Sequence, residues 1–412
     1  RTLVHNLFIM KHLIFNLLLI SLLLPVQLFS QPAWQQMNSV EQLYSAYPEK
    51  VKYIFDNLDL NFPGLEKVRK AVEKGDQVKA GKFLLLYYEN SETAKRLHKD
   101  IPKASNRRVS EADSSLMDTY TFQNVAGRVP RLPDGHLKWS HNGPENDIEW
   151  AWALNRHYPV SGLLSAWFET GNPEYASYID QFTKDWIIQS WPYPGVKSNT
   201  AMWRGLEVSF RVKMWSQVFY GLMNTKYLSP ATKLLILSSL PDHAHYARQY
   251  HAQNNWLTME ISGLATVATS WPEFKQSKDW LTYAINTMTE SMKGQVYPDG
   301  AQTELTSDYH TTALHNFVLF KKLCEAAGKQ LPPFYNETLE KMYNYLAVTI
   351  RPDGFGILNN DADLRNNRDL LMKAAETYKR DDWKYIITGG SSGKVPEKGP
   401  SFMLPWAGQL IS

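Results

Sequence analysis

The recurrence of helix-period stretches from about residue 145 to 385 constrains this chain more than anything else in it. Apolar residues return every three or four positions over 147–167, 174–189, 202–222, 230–249 and 255–269. The pattern continues over 278–292, 305–327, 336–346 and 369–385. Pro, Gly and Asn turns separate these stretches, and period-two alternation is scarce. A block of roughly 240 residues suits one domain with a large core. Helices joined by short loops predict an all-α, α/α arrangement. Bundle and toroid differ only in connectivity, so periodicity leaves both open.

Ahead of this block, 65–72 begins an amphipathic helix that stops at Gly75-Asp76. A second follows at once, with Phe83 to Tyr88 before Glu89-Asn90, so the two predict a helical hairpin. Residues 91–135 are polar and loop-rich and read as a linker. The expected division is therefore 31–135 for hairpin and linker and 136–388 for the helical domain. In 389–412, Gly389-Gly390-Ser391-Ser392-Gly393 and Pro396, Pro400 and Pro405 read as a flexible linker. Phe402 to Ser412 then resembles the lead-in to a strand of a further domain, so truncation is expected.

Residues 1–9 precede Met10 and look like upstream translation. From Met10 a short basic start (Lys11), an apolar run from Leu13 to Leu24 and a break at Pro25 predict an export signal cleaved after Ser30. The apolar run is shorter than a spanning helix needs, so no stable membrane insertion is expected after cleavage. A periplasmic or secreted location follows. Removing 1–30 deletes Arg1 and Lys11 from the 44 basic residues, leaving 42 against 41 acidic ones. That balance excludes nucleic-acid binding driven by bulk charge, while leaving room for a local basic cleft. Cys324, the single cysteine, rules out an internal disulfide framework and sits in an apolar helical run as a structural thiol. The 14 tryptophans suit a carbohydrate groove or the core of a large helical domain equally well.

Two helix starts carry candidate chemistry. Asn254 and Asn255 stand where an N-cap is expected, but one cap needs one asparagine. Tyr309 shares a helical stripe with Ala313, Phe317, Phe320 and Cys324, so it reads as a core tyrosine or a phenol near a cleft mouth. His310 points about a third of a turn away and could flank the same opening. Further polar groups could line one groove: Arg156 and His157, Trp203 and Arg204, Glu207, Glu304 and Asn360. The arginines could hold a carboxylate or sulfate, or simply pair with neighbouring acids. Asp361 and Asp363 could ligate a hard cation such as Ca2+, but two carboxylates are too few to specify a site. No other cofactor is implied.

In combination these passages resemble the heparinase II/III-like polysaccharide lyases, most closely the heparinase III type. The passages are Gly81 to Tyr88, Trp139 with Glu149 to His157, the Asn254-Asn255 pair, and Tyr297-Pro298-Asp299-Gly300 leading to Tyr309-His310. The resemblance implies an incomplete (α/α) toroid followed by an antiparallel β-sandwich domain, here truncated. It implies an acidic polysaccharide as partner, heparin or heparan sulfate foremost, cut by β-elimination at a uronic acid. Asn255 would match the amide that neutralises the C6 carboxylate, and Tyr309 the phenol that moves the proton. Related alginate lyases carry histidine directly after the motif asparagine, whereas Trp256 stands there in this chain. This favours the heparinase III pattern, whose catalytic histidine comes from the β-domain. The alternatives are a lyase for alginate or another uronate polymer, a toroidal glycoside hydrolase using Glu260, Glu304 or Asp361, and a non-catalytic binding fragment.

Overall fold

The computed structural model describes residues 33–97, 106–360, 362–397, 399 and 401–412. The expected export signal, Pro400 and Asp361 lie outside the described residues. Contacts divide the chain after Met37. In the first unit, Trp34–Gln36 makes one 3-10 turn. The second unit, from Asn38 on, holds all seventeen α-helices and both β-hairpins found among the described residues.

The first helices are α1 (Val40–Ala46), α2 (Pro48–Asn57), α3 (Glu66–Glu73), α4 (Gln77–Asn90), α5 (Glu92–Leu97) and α6 (Asn106–Ser115). Strands β1 (Thr119–Phe122) and β2 (Val125–Arg128) follow, so the stretch expected as linker carries regular structure. Gln123 and Asn124 both have positive φ (49° and 65°), giving a two-residue turn whose twist matches its strands. Next come α7 (Ile148–Asn155), α8 (Tyr158–Thr170), α9 (Pro173–Gln189), α10 (Gly205–Gly221) and α11 (Pro230–Gln249). The series ends with α12 (Asn254–Ser270), α13 (Ser277–Gln295), α14 (Ser307–Ala326), α15 (Pro333–Val348), α16 (Arg368–Thr377) and α17 (Asp381–Ile387). Side-chain caps start several of them. Ser39 and Gln42 close a reciprocal capping box on α1, and Asp76 accepts from Lys79 N at 3.0 Å on α4.

Two expected helices are each broken in two. The 147–167 stretch splits at His157, which takes φ 62°. Pro159 has no N–H to give to the carbonyl of Asn155, so the ladder cannot continue there. The Nη1 of Arg211 donates to that carbonyl instead, at 2.7 Å. The 369–385 stretch splits at Lys379 (φ 56°), where Arg380 N turns back onto Ala375 O at 2.9 Å.

The core centres on α12, which packs against α10, α11, α13 and α14. Its approach to α10 depends on Gly263, where an added Cβ would lie 2.7 Å from the Cα of Ser209. Trp186, Trp215, Trp271 and Trp383 are fully buried, each removing on the order of 200 Å² from water. Core packing thus accounts for much of the tryptophan content. Cys324 is a buried free thiol, pushed up to about 12 by burial, which is the structural role expected of it.

At the C-terminal end, Gly390 N closes α17 on Tyr385 O at 2.8 Å. Strands β3 (Phe402–Leu404) and β4 (Gln409–Ile411) then pair antiparallel. Between them, the backbone N–H groups of Trp406 and Ala407 donate to Asp299 Oδ2 at 2.8 and 2.9 Å. No helix among the described residues is long and apolar enough to cross a membrane.

Candidate active site

The starts of α12 and α14 are joined by one side-chain pair. The Nδ2 of Asn255 donates to Glu304 Oε2 at 2.8 Å, and its backbone N–H reaches Oε1 at 3.4 Å. Neither asparagine caps α12. Gln253 occupies the cap position without a side-chain bond, Asn254 is exposed with φ 56°, and Asn255 is buried. A carboxylate only accepts, so Glu304 fixes which end of the Asn255 amide carries the donors. Glu304 is steadied in turn by Gln302, whose Nε2 donates to Oε1 at 3.2 Å.

Tyr309 lies in the first turn of α14 and is half-buried, at the rim rather than in the core. A loop wraps this helix start. Asn359 Oδ1 accepts from Ser307 N at 3.2 Å, and the exposed Asn360 donates from Nδ2 to Leu305 O at 3.2 Å. Arg365 pairs with Asp308 at 2.7 Å, placing a cation beside the same turn.

The second part of the site sets two guanidiniums against two carboxylates, Glu207 and, 3.9 Å from Arg156, Glu149. The Arg204 guanidinium packs on two indoles, 3.5 Å from the Trp152 ring centre and 4.6 Å from that of Trp256. Its Nη1 donates to Glu207 Oε1 at 3.4 Å, and Arg156 Nε reaches the same oxygen at 3.0 Å. Glu260 lies under the start of α10, where a Cβ on Gly205 would come within 2.0 Å of Oε1. Burial pushes the Glu260 carboxyl up to about 7. The N–H of Ala252 on its Oε2 opposes that shift, and the charge of Glu207 adds to it. Asn255, Trp256, Arg204, Glu207 and Arg156 thus form one contiguous patch.

Four residues expected to touch a ligand are enclosed instead, one of them Glu207, which is 0% exposed and bonded to Arg156 and Arg204. His157 is fully buried among Trp139, Phe182, Trp186 and Trp215, with Nδ1 accepting from Trp215 Nε1 at 3.1 Å. His310 is 1% exposed; its Nε2 donates to Met342 O at 3.0 Å and its Nδ1 accepts from Gln302 N at 3.2 Å. Burial pushes it down to about 4, so it is neutral and structural. Trp203 is 4% exposed, and its Nε1 donates to Ser190 O at 3.0 Å. Enclosure corrects the expectation of direct contact for Glu207, His157, His310 and Trp203 alike.

Local sequence gave no sign of two further features. The Trp152–Arg204–Trp256 stack joins residues about 50 positions apart. Beside it, a groove of about 600 Å³ opens between α12 and α13, lined by His251, Gln253, Asn254, Tyr283, Asn286 and Gln295 among others. Among the described residues, no group of three or more His, Cys, Asp or Glu side chains is arranged to hold a metal ion.

The chain was compared with known proteins on this basis. It is 28% identical over 370 residues to a heparin-sulfate lyase of Bacteroides stercoris, covering 84% of this chain and 55% of that protein. A heparin-sulfate lyase of Pedobacter heparinus is 28% identical over 361 residues, covering 83% and 54%. The chain therefore spans about half the length of the relatives it matches. The crystal structure of heparinase III aligns with a TM-score of 0.74 at 25% identity, over 83% of this chain and 56% of that one. The helices of the second unit thus have the incomplete (α/α) toroid architecture expected from the resemblance. The family model for the heparinase II/III N-terminus matches residues 54–383, most of the chain, and the chain belongs to that family.

Proposed function

We propose that this chain is the helical part of a polysaccharide lyase that cuts a uronic-acid-containing glycan, heparin or heparan sulfate, by β-elimination. The Asn255–Glu304 pair carries the reading, with Tyr309 in the first turn of the helix that Glu304 leads into. An amide nitrogen has two donor hydrogens, and Glu304 engages one. The second is available to a substrate carboxylate. Hydrogen bonding disperses the charge on that carboxylate and stabilises the enolate-like state formed when C5 loses its proton. The electron pair left at C5 becomes the C4–C5 double bond as the C4–O bond breaks, and the departing oxygen takes up a proton. Tyr309, at the rim of the same helix start, is the proton carrier in this scheme.

Charge also fits. Glu304 alone would repel an anionic sugar, and the guanidiniums of Arg204 and Arg156 in the adjoining patch oppose that repulsion. The names of the two lyase relatives support heparin or heparan sulfate as the polymer. Export through the segment that begins at Met10 fits an extracellular glycan.

The unsaturated product absorbs in the ultraviolet, so an absorbance assay of the whole lyase tests the scheme. Asn255→Ala and Tyr309→Phe should each abolish the signal while leaving the thermal unfolding midpoint in place. Turnover retained in Tyr309→Phe would exclude the phenol from the proton transfer.

A further inference from the structure

Trp256 has no place in the elimination chemistry, yet it is 41% exposed while Asn255 beside it on α12 is 6% exposed. A large indole left in water next to a buried polar group is an unusual use of apolar surface. One of its faces is occupied by the Arg204 guanidinium, 4.6 Å from the ring centre. The same guanidinium also packs on Trp152, 3.5 Å from its ring centre. Arg204 is in turn anchored by its Nη1 bond to Glu207, which is 0% exposed. One face of the indole is thus covered by an anchored guanidinium, which leaves the opposite face and the rim to account for its exposure.

We infer that the free face of Trp256 is a stacking platform for the sugar ring flanking the uronate held at Asn255. A pyranose presents axial C–H groups on its flat face, and these pack on an indole without needing a hydrogen-bond partner. Contact with the anchored Arg204 restricts the ring before a sugar arrives, which lowers the ordering cost of binding. Arg204 acts through Trp256 as a positioning residue, and its charge favours an acidic or sulfated unit on that side. The position that holds histidine in related alginate lyases thereby serves binding rather than proton transfer in this chain.

The inference rests on the glycan-lyase reading, so its test separates the two. Tyr309→Phe is used as the parent, and its affinity for a size-defined heparan sulfate tetrasaccharide is measured by calorimetric titration. Adding Trp256→Leu, which keeps apolar bulk but removes the flat ring, should weaken binding about tenfold. Adding Trp256→Phe instead should retain most of the affinity. A residue this exposed contributes little to folding, so melting temperatures should be unchanged in both. Equal affinity of parent and Trp256→Leu overturns the platform and leaves the lyase reading intact. A parent that binds no acidic glycan overturns both.

Discussion

The carboxylate of Glu304 meets the amide of Asn255 across 2.8 Å and ties the entrance of α14 to that of α12. An acceptor-only partner prevents the amide from turning its oxygen toward the ligand. In Glu304→Gln that restriction disappears, since a glutamine can donate as well as accept. The expected result is a fall in kcat of about tenfold or more, the scale of one charge-assisted hydrogen bond. KM should not rise, because a negative charge near the substrate carboxylate is removed at the same time. Steady-state absorbance kinetics of the whole lyase would check both numbers. A raised KM with unchanged kcat would contradict the orienting role.

Arg211 is the strut behind the Arg156–Glu207–Arg204 cluster. It is fully buried, donating from Nη1 to Asn155 O at 2.7 Å, from Nη2 to Met202 O at 3.1 Å and from Nε to His243 Nε2 at 3.0 Å. Two of these acceptors, Asn155 and Met202, lie close to Arg156 and Arg204 in sequence. A lysine cannot reproduce a planar fork of donors. Arg211→Lys should therefore destabilise the fold by about 2–4 kcal/mol, from buried groups left unpaired. Chemical denaturation against urea measures this directly.

Close packing of α10 and α12 gives a second stability prediction. Gly263→Ala places a methyl 2.7 Å from the Cα of Ser209, a backbone atom that cannot swing aside. Overpacking of this kind costs about 1–3 kcal/mol. A lowered urea midpoint with unchanged slope is expected. An unchanged midpoint would mean that the two helices are not held at this separation.

Buried carboxyls make stability depend on pH. Burial pushes Glu273 up to about 7, with the hydroxyls of Tyr87 and Tyr88, at 2.8 and 3.1 Å, opposing the shift. The folded state therefore prefers the protonated form. Its contribution is fully present below the ordinary value of 4.5 and is lost as pH rises through about 7. The loss for this one group is on the order of 3 kcal/mol. Glu260 adds a slope of the same sign, since burial also pushes it up to about 7. Melting temperatures should fall between pH 5 and 8, and Glu273→Gln should flatten part of that fall.

Local signals in the sequence were sufficient where the physics is local. The helix periods from 174 to 346 are reproduced within a few residues, and the Gly75-Asp76 stop and cap are where turn chemistry puts them. Pro159 is equally visible in the sequence and ends the ladder at Asn155, whereas apolar periodicity alone runs through His157 unbroken. Side-chain environments were harder to read. His157 and His310 look like exposed polar residues in the sequence, because enclosure by Trp139, Trp186 or Tyr345 depends on distant helices. The second asparagine of the 254–255 pair was unexplained by capping for the same reason: its partner, Glu304, lies 49 residues away.

Asp299 belongs to the turn that leads into Gln302 and Glu304, and it also holds the amides of Trp406 and Ala407. A single span of six residues, 299–304, therefore has the β3–β4 hairpin hooked at one end and the Asn255 amide at the other. Any force that displaces the hairpin is delivered to the amide through this one short span, with no hinge glycine beyond Gly300 to absorb it.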